Sequence, residues 1–264
     1  MPELQDPTLG TPSRNKIMYA IQQTGSRLIG DGFIAGYLID CLKMAEGLIP
    51  VHKYMMSKEA MQRGIATDII TQRNAQTDDN LRWLKQMESE DFHRVNVLSF
   101  LSLWAAYESG NENIIAAILE SQQSAADSAA GKFPPTKYAA LQWPWTEDIC
   151  LDVASKLDQK AKSATPDGGW DIAARLTTLF SWLGVDIEIP ARSAACLNEA
   201  SMVRNVLLHR YGRLGPRDIE RAPHLDERGN KAIKITRSRL RQYSDAVRVV
   251  NVSIMIGVEK AGWA

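Results

Sequence analysis

The chain has 264 residues, of which 45% are apolar and 23% charged, and its formal net charge is zero. That is ordinary material for a protein with one large core, and the neutral balance points to no partner by itself. No stretch approaches the ~18 uninterrupted apolar residues of a membrane span, and the first residues lack an apolar signal core, so a cytoplasmic chain without membrane contact is expected. Cys41, Cys150 and Cys196 lie far apart and form no zinc pattern with the four histidines; reduced, buried thiols, no metal and no cofactor are expected.

Residues 1–13, with Pro2, Pro7 and Pro12, read as a loose arm. Ser13 is placed to cap a first helix to about Leu28, and Phe33, Ile34, Tyr37, Leu38, Cys41, Leu42 and Ala45 give a second over 33–48 that Pro50 ends. A more polar third helix fits 54–74. The stretch 78–122 is strongly helical, and its part VNVLSFLSLWAAYESGNENIIAAIL is apolar nearly all round, the mark of a central helix. Glu108 interrupts that run, and Gly110-Asn111 is a place for a bend or a split. Residues 124–145, with three prolines and the pair Trp143 and Trp145, read as a loop packed down by its tryptophans. Thr146 then caps a helix to about Lys162. Another helix runs over 170–183, stopped by Gly184 at the C′ position. Pro190 precedes a helix over 193–211, a loop follows to about 235, and Thr236 caps the last helix, 237–260. Hairpin turns between alternating strands are missing, so the fold class is all-α.

Charge is unevenly spread. Between Arg204 and Arg248 there are twelve Lys or Arg against five acids, which leaves nineteen basic against twenty-six acidic residues elsewhere. A solvated helix face explains such a segment, and so does a surface for a polyanion.

The 193–211 helix carries the chemistry. At 100° per residue, Cys196, Ala200, Val203 and Leu207 form its core stripe, while Asn205 and His209 share another face about 40° apart. Arg204 and Tyr211, seven residues apart, stack at the border, and Arg210 and Arg213 flank them. Arg and His a few residues apart is a weak pattern in itself, because Arg217 and His224 repeat it across Pro223. The fuller string is rarer: Arg-Asn, three residues, His, and Tyr two later, in a helix closed by glycine.

Residues 198–215, NEASMVRNVLLHRYGRLG, resemble the signature helix of the HEPN superfamily, an Arg, four to six residues, and a His, with a polar residue after the Arg. FLSLWAAYESGNENII resembles that superfamily's first core helix, and KAIKITRSRLRQY its closing element. The resemblance covers roughly 78–262. It implies a HEPN-like helical bundle over 78–264 and a helical extension over 1–77.

It also implies a metal-independent RNA endonuclease, in a toxin or phage-defence setting. Cleavage by the RNA's own 2′-hydroxyl needs a base and an acid, and imidazole serves as either. His209 is the candidate for that role, Arg204 for the charge on the transition state, and Asn205 for holding the imidazole or a phosphate oxygen. Arg210, Arg213 and Arg217 would line the groove as RNA contacts. One helix supplies one imidazole, so a homodimer paired across this helix is expected, with a composite site. Glu108 is either a buried partner of Arg204 or a surface acid, and the resemblance favours the first. Tyr211 packs at the helix end or touches RNA, or it is the residue modified by an antitoxin partner. Glu199 stays outside the site, and His52, His93 and His224 read as structural or loop residues. Two rival readings are a catalytically silent HEPN scaffold and a helical component that only binds RNA.

Overall fold

The computed structural model describes residues 15–134, 137–138, 141–166, 170–226 and 229–263. They form, in order, α1 (Lys16–Gln62), α2 (Thr67–Ser89), α3 (His93–Ser121), α4 (Gln123–Ala130), α5 (Glu147–Ala164), α6 (Ile172–Trp182), α7 (Ala191–Arg210), α8 (Pro216–Arg221) and α9 (Arg237–Lys260). Among the described residues there is no strand, so the fold is all-α, and no helix is long and apolar enough to cross a membrane.

The near-uniform apolar surface of α3 puts it at the centre. Phe100, Leu103, Trp104, Tyr107, Ile114, Ile115, Ile118 and Leu119 are buried against α1, α5 and α9, and α4 packs on its end. From α5 the chain runs through α6 to α7, and α7 returns to α9. The expected loop anchor holds: Trp145 is buried, and Trp143 donates its Nε1–H to the Leu119 carbonyl at 3.1 Å.

The first two expected helices and the start of the third are one, and the expected 54–74 helix is divided at 63–66. The expected arm 1–13 and its cap Ser13 lie outside the described residues, and Asn15 Oδ1 accepts the Ile17 N–H at the start of α1. α1 runs unbroken through Gly30, Gly32 and Pro50, although a mid-helix proline costs roughly 3 kcal/mol. The glycines are contacts rather than breaks. A Cβ on Gly32 would stand 2.5 Å from Ser244 Oγ, one on Gly36 3.2 Å from Arg237 Nη2, and one on Gly25 3.0 Å from Asn251 Nδ2. Seven and four residues apart, the three lie along one face of α1 and let α9 approach. Ile17, Ile21, Leu28 and Ala35 of α1 belong to the same core as α3 and α9. Farther on, Met44, Leu48, Val51, Tyr54, Met55 and Met61 are exposed. There α2 lies beside α1, held in part by Lys53 and Asp78 at 2.8 Å.

Gly110 is likewise no break. α3 is continuous there, and a Cβ at Gly110 would fall 2.3 Å from Thr24 Cγ2, where α1 crosses. The real interruption in 78–122 comes earlier. Asp91 and Phe92 are both left-handed, with the Asp91 N–H on the Glu88 carbonyl (2.9 Å) and the Phe92 N–H on that of Met87 (2.7 Å). This is a Schellman stop made without glycine, so no glycine in the sequence marks it. The expected loops also hold short helices, α4 in one and α8 with a 3-10 turn at Pro223–Leu225 in the other.

The break between α2 and α3 anchors the entry to α9. The fully buried Asn96 donates to the carbonyls of Asp91 (2.8 Å) and Ile235 (2.9 Å), and His93 Nδ1 accepts the Ile235 N–H at 2.9 Å. Burial lowers the affinity of His93 for a proton below its ordinary value of 6.5.

Two predictions follow from this packing. Gly110→Ala gains helix propensity but overpacks Thr24, whose χ1 is stiff and whose hydroxyl donates to the Ala20 carbonyl at 2.8 Å. It should cost about 1–3 kcal/mol in chemical denaturation, and Thr24→Ala in the same chain should recover most of that. For His93 the unfolded chain binds more protons below pH 6.5, so this contribution to stability is present above that value and lost as pH falls below it. The thermal midpoint should drop between pH 7 and 5, and by less in His93→Asn, whose Oδ1 can take the same N–H.

Candidate active site

α7 starts just after Pro190 and buries Leu197, Ala200, Met202, Val203 and Val206. Of the expected core stripe, Ala200 and Val203 are inside, while Cys196 and Leu207 lie half-buried at its edge. Of the three thiols expected to be buried only Cys150 is, while Cys41 is exposed on α1; the half-buried Cys196 thiol is pushed up to about 11 by burial and is therefore protonated near neutrality. The helix ends in two successive left-handed residues, Tyr211 and Gly212, and the Gly212 N–H bonds the Val206 carbonyl at 3.0 Å.

That ending corrects one expectation. Tyr211 turns out of the helix and is 96% exposed, so it neither packs at the helix end nor stacks with Arg204.

Arg204 is held from two sides. Its Nη2 stands 3.2 Å from Glu108 Oε2 and its Nη1 3.1 Å from Asn205 Oδ1. Glu108 is thus the partner of Arg204, but the pair is not buried: the side chains are 46% and 30% exposed. His209, one turn beyond Asn205, is exposed and makes no hydrogen bond or ion pair with the described residues. Arg210 is committed elsewhere, to the buried carboxylate of Asp218, which also accepts the Gly215 N–H at 2.7 Å. Arg213 and Arg217 are exposed and make no ion pair among the described residues.

Beside Arg204 opens a cavity of about 290 Å³ in the arc formed by α3, α5, α6, α7 and α8. Trp104 and Glu108 of α3, Lys162 of α5, Arg175 of α6 and Arg221 of α8 line it together with Arg204 and Asn205; His209 does not. Arg175 Nε lies 3.2 Å from Asp158 Oδ1. Burial pushes the Asp158 carboxyl above the usual carboxylate range, with Arg175 acting the other way. The Arg221 guanidinium stacks over Trp170, 4.1 Å from the ring centre.

A second polar group forms on the opposite side of α7. Glu199 accepts from Tyr243 Oη (2.6 Å), pairs with His224 Nε2 (2.7 Å) and lies 3.7 Å from Arg239 Nε. Sequence reasoning left Glu199 and His224 aside, and it did not bring Lys162, Arg175 or Arg221 to Arg204. These residues come from separate helices with no shared motif. Among the described residues no group of three or more His, Cys, Asp and Glu side chains is arranged to hold a metal ion.

No protein-family model matches the chain, and neither a curated protein nor a solved structure matches it.

The Arg204–Glu108 pair is solvent-screened, and such pairs contribute about 0–1 kcal/mol. Glu108→Gln should therefore leave the urea midpoint nearly unchanged. A loss well above that range would make the pair structural and not a device for aiming Arg204.

Proposed function

We propose that the chain is an endoribonuclease that needs no metal ion and acts as a homodimer, with Arg204, Asn205 and His209 at its site. One observation carries the reading: an arginine braced by Glu108 and Asn205 stands at the rim of a cation-lined cavity, and five residues farther along the same helix is an exposed histidine with no partner among the described residues. His209 takes the proton from an RNA 2′-hydroxyl, whose oxygen forms the new bond to phosphorus. The 5′-oxygen bond breaks and that oxygen leaves with a proton from a second acid. The products are a 2′,3′-cyclic phosphate and a 5′-hydroxyl. Arg204 offers its planar, permanently charged fork to the phosphorane oxygens.

The helix geometry favours a composite site. Five residues along a helix amount to about 7.5 Å of rise and ~140° of rotation, so Arg204 and His209 of one chain do not converge on one phosphate. Two copies paired through α7 supply both groups and the second imidazole. Arg213 and Arg217 extend the basic border for flanking phosphates. The defence or toxin setting, and an antitoxin or other restraining partner, belong to the resemblance carried by residues 198–215.

Incubation of the purified chain with structured RNA in EDTA tests the reading. The parent should yield fragments with 5′-hydroxyl ends, and His209→Ala should reduce cleavage at least ~100-fold, the usual scale of a lost general base. Equal cleavage by the variant, or cleavage that EDTA abolishes, would overturn it.

A further inference from the structure

We infer that the cavity between α3, α5, α6, α7 and α8 binds the terminal phosphate of a nucleotide. The inference does not depend on strand cleavage, because it rests on the cavity's own charge, unmet hydrogen bonds and shape.

Four cations, Lys162, Arg175, Arg204 and Arg221, face the carboxylates of Glu108 and Asp158. Arg204 and Arg175 are paired with those acids; Lys162 and Arg221 make no ion pair among the described residues. An excess of two positive charges remains, and a phosphate monoester carries about −1.5 to −2 at neutral pH. A diester link inside an RNA chain carries only one negative charge, so the balance selects a terminal phosphate.

Unmet donors point the same way. Trp104 is 3% exposed and forms part of the cavity wall, yet its Nε1–H has no acceptor in the protein. Arg175 Nε is buried as well, near Asp158 but without a directed hydrogen bond. Buried N–H groups of this kind cost free energy until an acceptor arrives, and phosphate oxygens are strong acceptors. The nucleoside part follows from shape. At about 290 Å³ the cavity lies just below the usual range of ligand pockets, ~300–1,000 Å³, so it takes the phosphate and leaves the base at its mouth. The half-buried Trp170 and the guanidinium stacked on it offer a flat platform that a base can extend.

The phosphate can come from a free mononucleotide or from an RNA end, and titration of the full chain separates the two. The probes are 5′-AMP, 3′-AMP, adenosine, and a 2′-O-methylated trinucleotide with or without a terminal phosphate; the methylation prevents cleavage. Calorimetry and tryptophan fluorescence give the affinities. Phosphorylated probes should bind at least about tenfold more tightly than their unphosphorylated counterparts. Arg221→Gln and Lys162→Gln should each weaken that binding about tenfold. Tighter binding of a free monophosphate assigns the cavity to nucleotides, and tighter binding of the phosphorylated trinucleotide assigns it to RNA ends. No binding by any probe would overturn the proposal, as would equal binding of phosphorylated and unphosphorylated probes. So would parent-like affinity in both variants, whose folding circular dichroism checks. None of these results bears on cleavage, which His209→Ala reports separately.

Discussion

Because α3 is apolar nearly all round, it can exist only with neighbours on every side, and the order of the remaining helices follows from that demand. α1 covers one side, α9 another and α5 a third, while α4 closes the end. With α3 so enclosed, α6 and α7 do not need its surface. They continue the arc from α5 back to α9, and the cavity lies where that arc and α3 enclose space.

The close approach of α1 depends on side chains that are absent. Gly25, Gly32 and Gly36 remove bulk along the contact with α9, and Gly110 removes it from α3 where Thr24 crosses. Each glycine sacrifices helix propensity, by up to about 1 kcal/mol against alanine, and allows a contact that a methyl group would obstruct. Residues that look like helix breakers therefore serve as points of helix contact. The same contacts draw the first half of α1 into the core shared with α3 and α9.

The site arises where this covering of α3 gives way to polar chemistry. Glu108 interrupts the apolar run of α3 and faces α7, and Arg204 answers it across the mouth of the cavity. Their mutual exposure limits what the pair adds to stability, while the contact itself holds the guanidinium at the cavity mouth. Lys162, Arg175 and Arg221 arrive from three other elements. Tyr211 and Arg210 show how the same short segment can divide its labour, one released to solvent at a left-handed turn and the other fastened to Asp218.

Periodicity and turn chemistry in the sequence were enough to establish the all-α class, the central role of the run around residues 95–119, the Gly184 stop and the start of the last helix after Thr236. The pairing of Glu108 with Arg204 came from the resemblance and not from periodicity, and the pair forms at the surface instead of being buried. Tertiary packing alone decided the rest. Whether a glycine breaks a helix or seats a neighbour depends on what lies opposite, as Ser244 lies opposite Gly32, and local sequence holds no record of that. The stop at Asp91 and Phe92 has no local signature, because no glycine marks it. The gathering of cations around Trp104, and of Glu199 with His224 and Tyr243, joins residues tens of positions apart. Only the packing of α5 through α9 brings them within reach of one another.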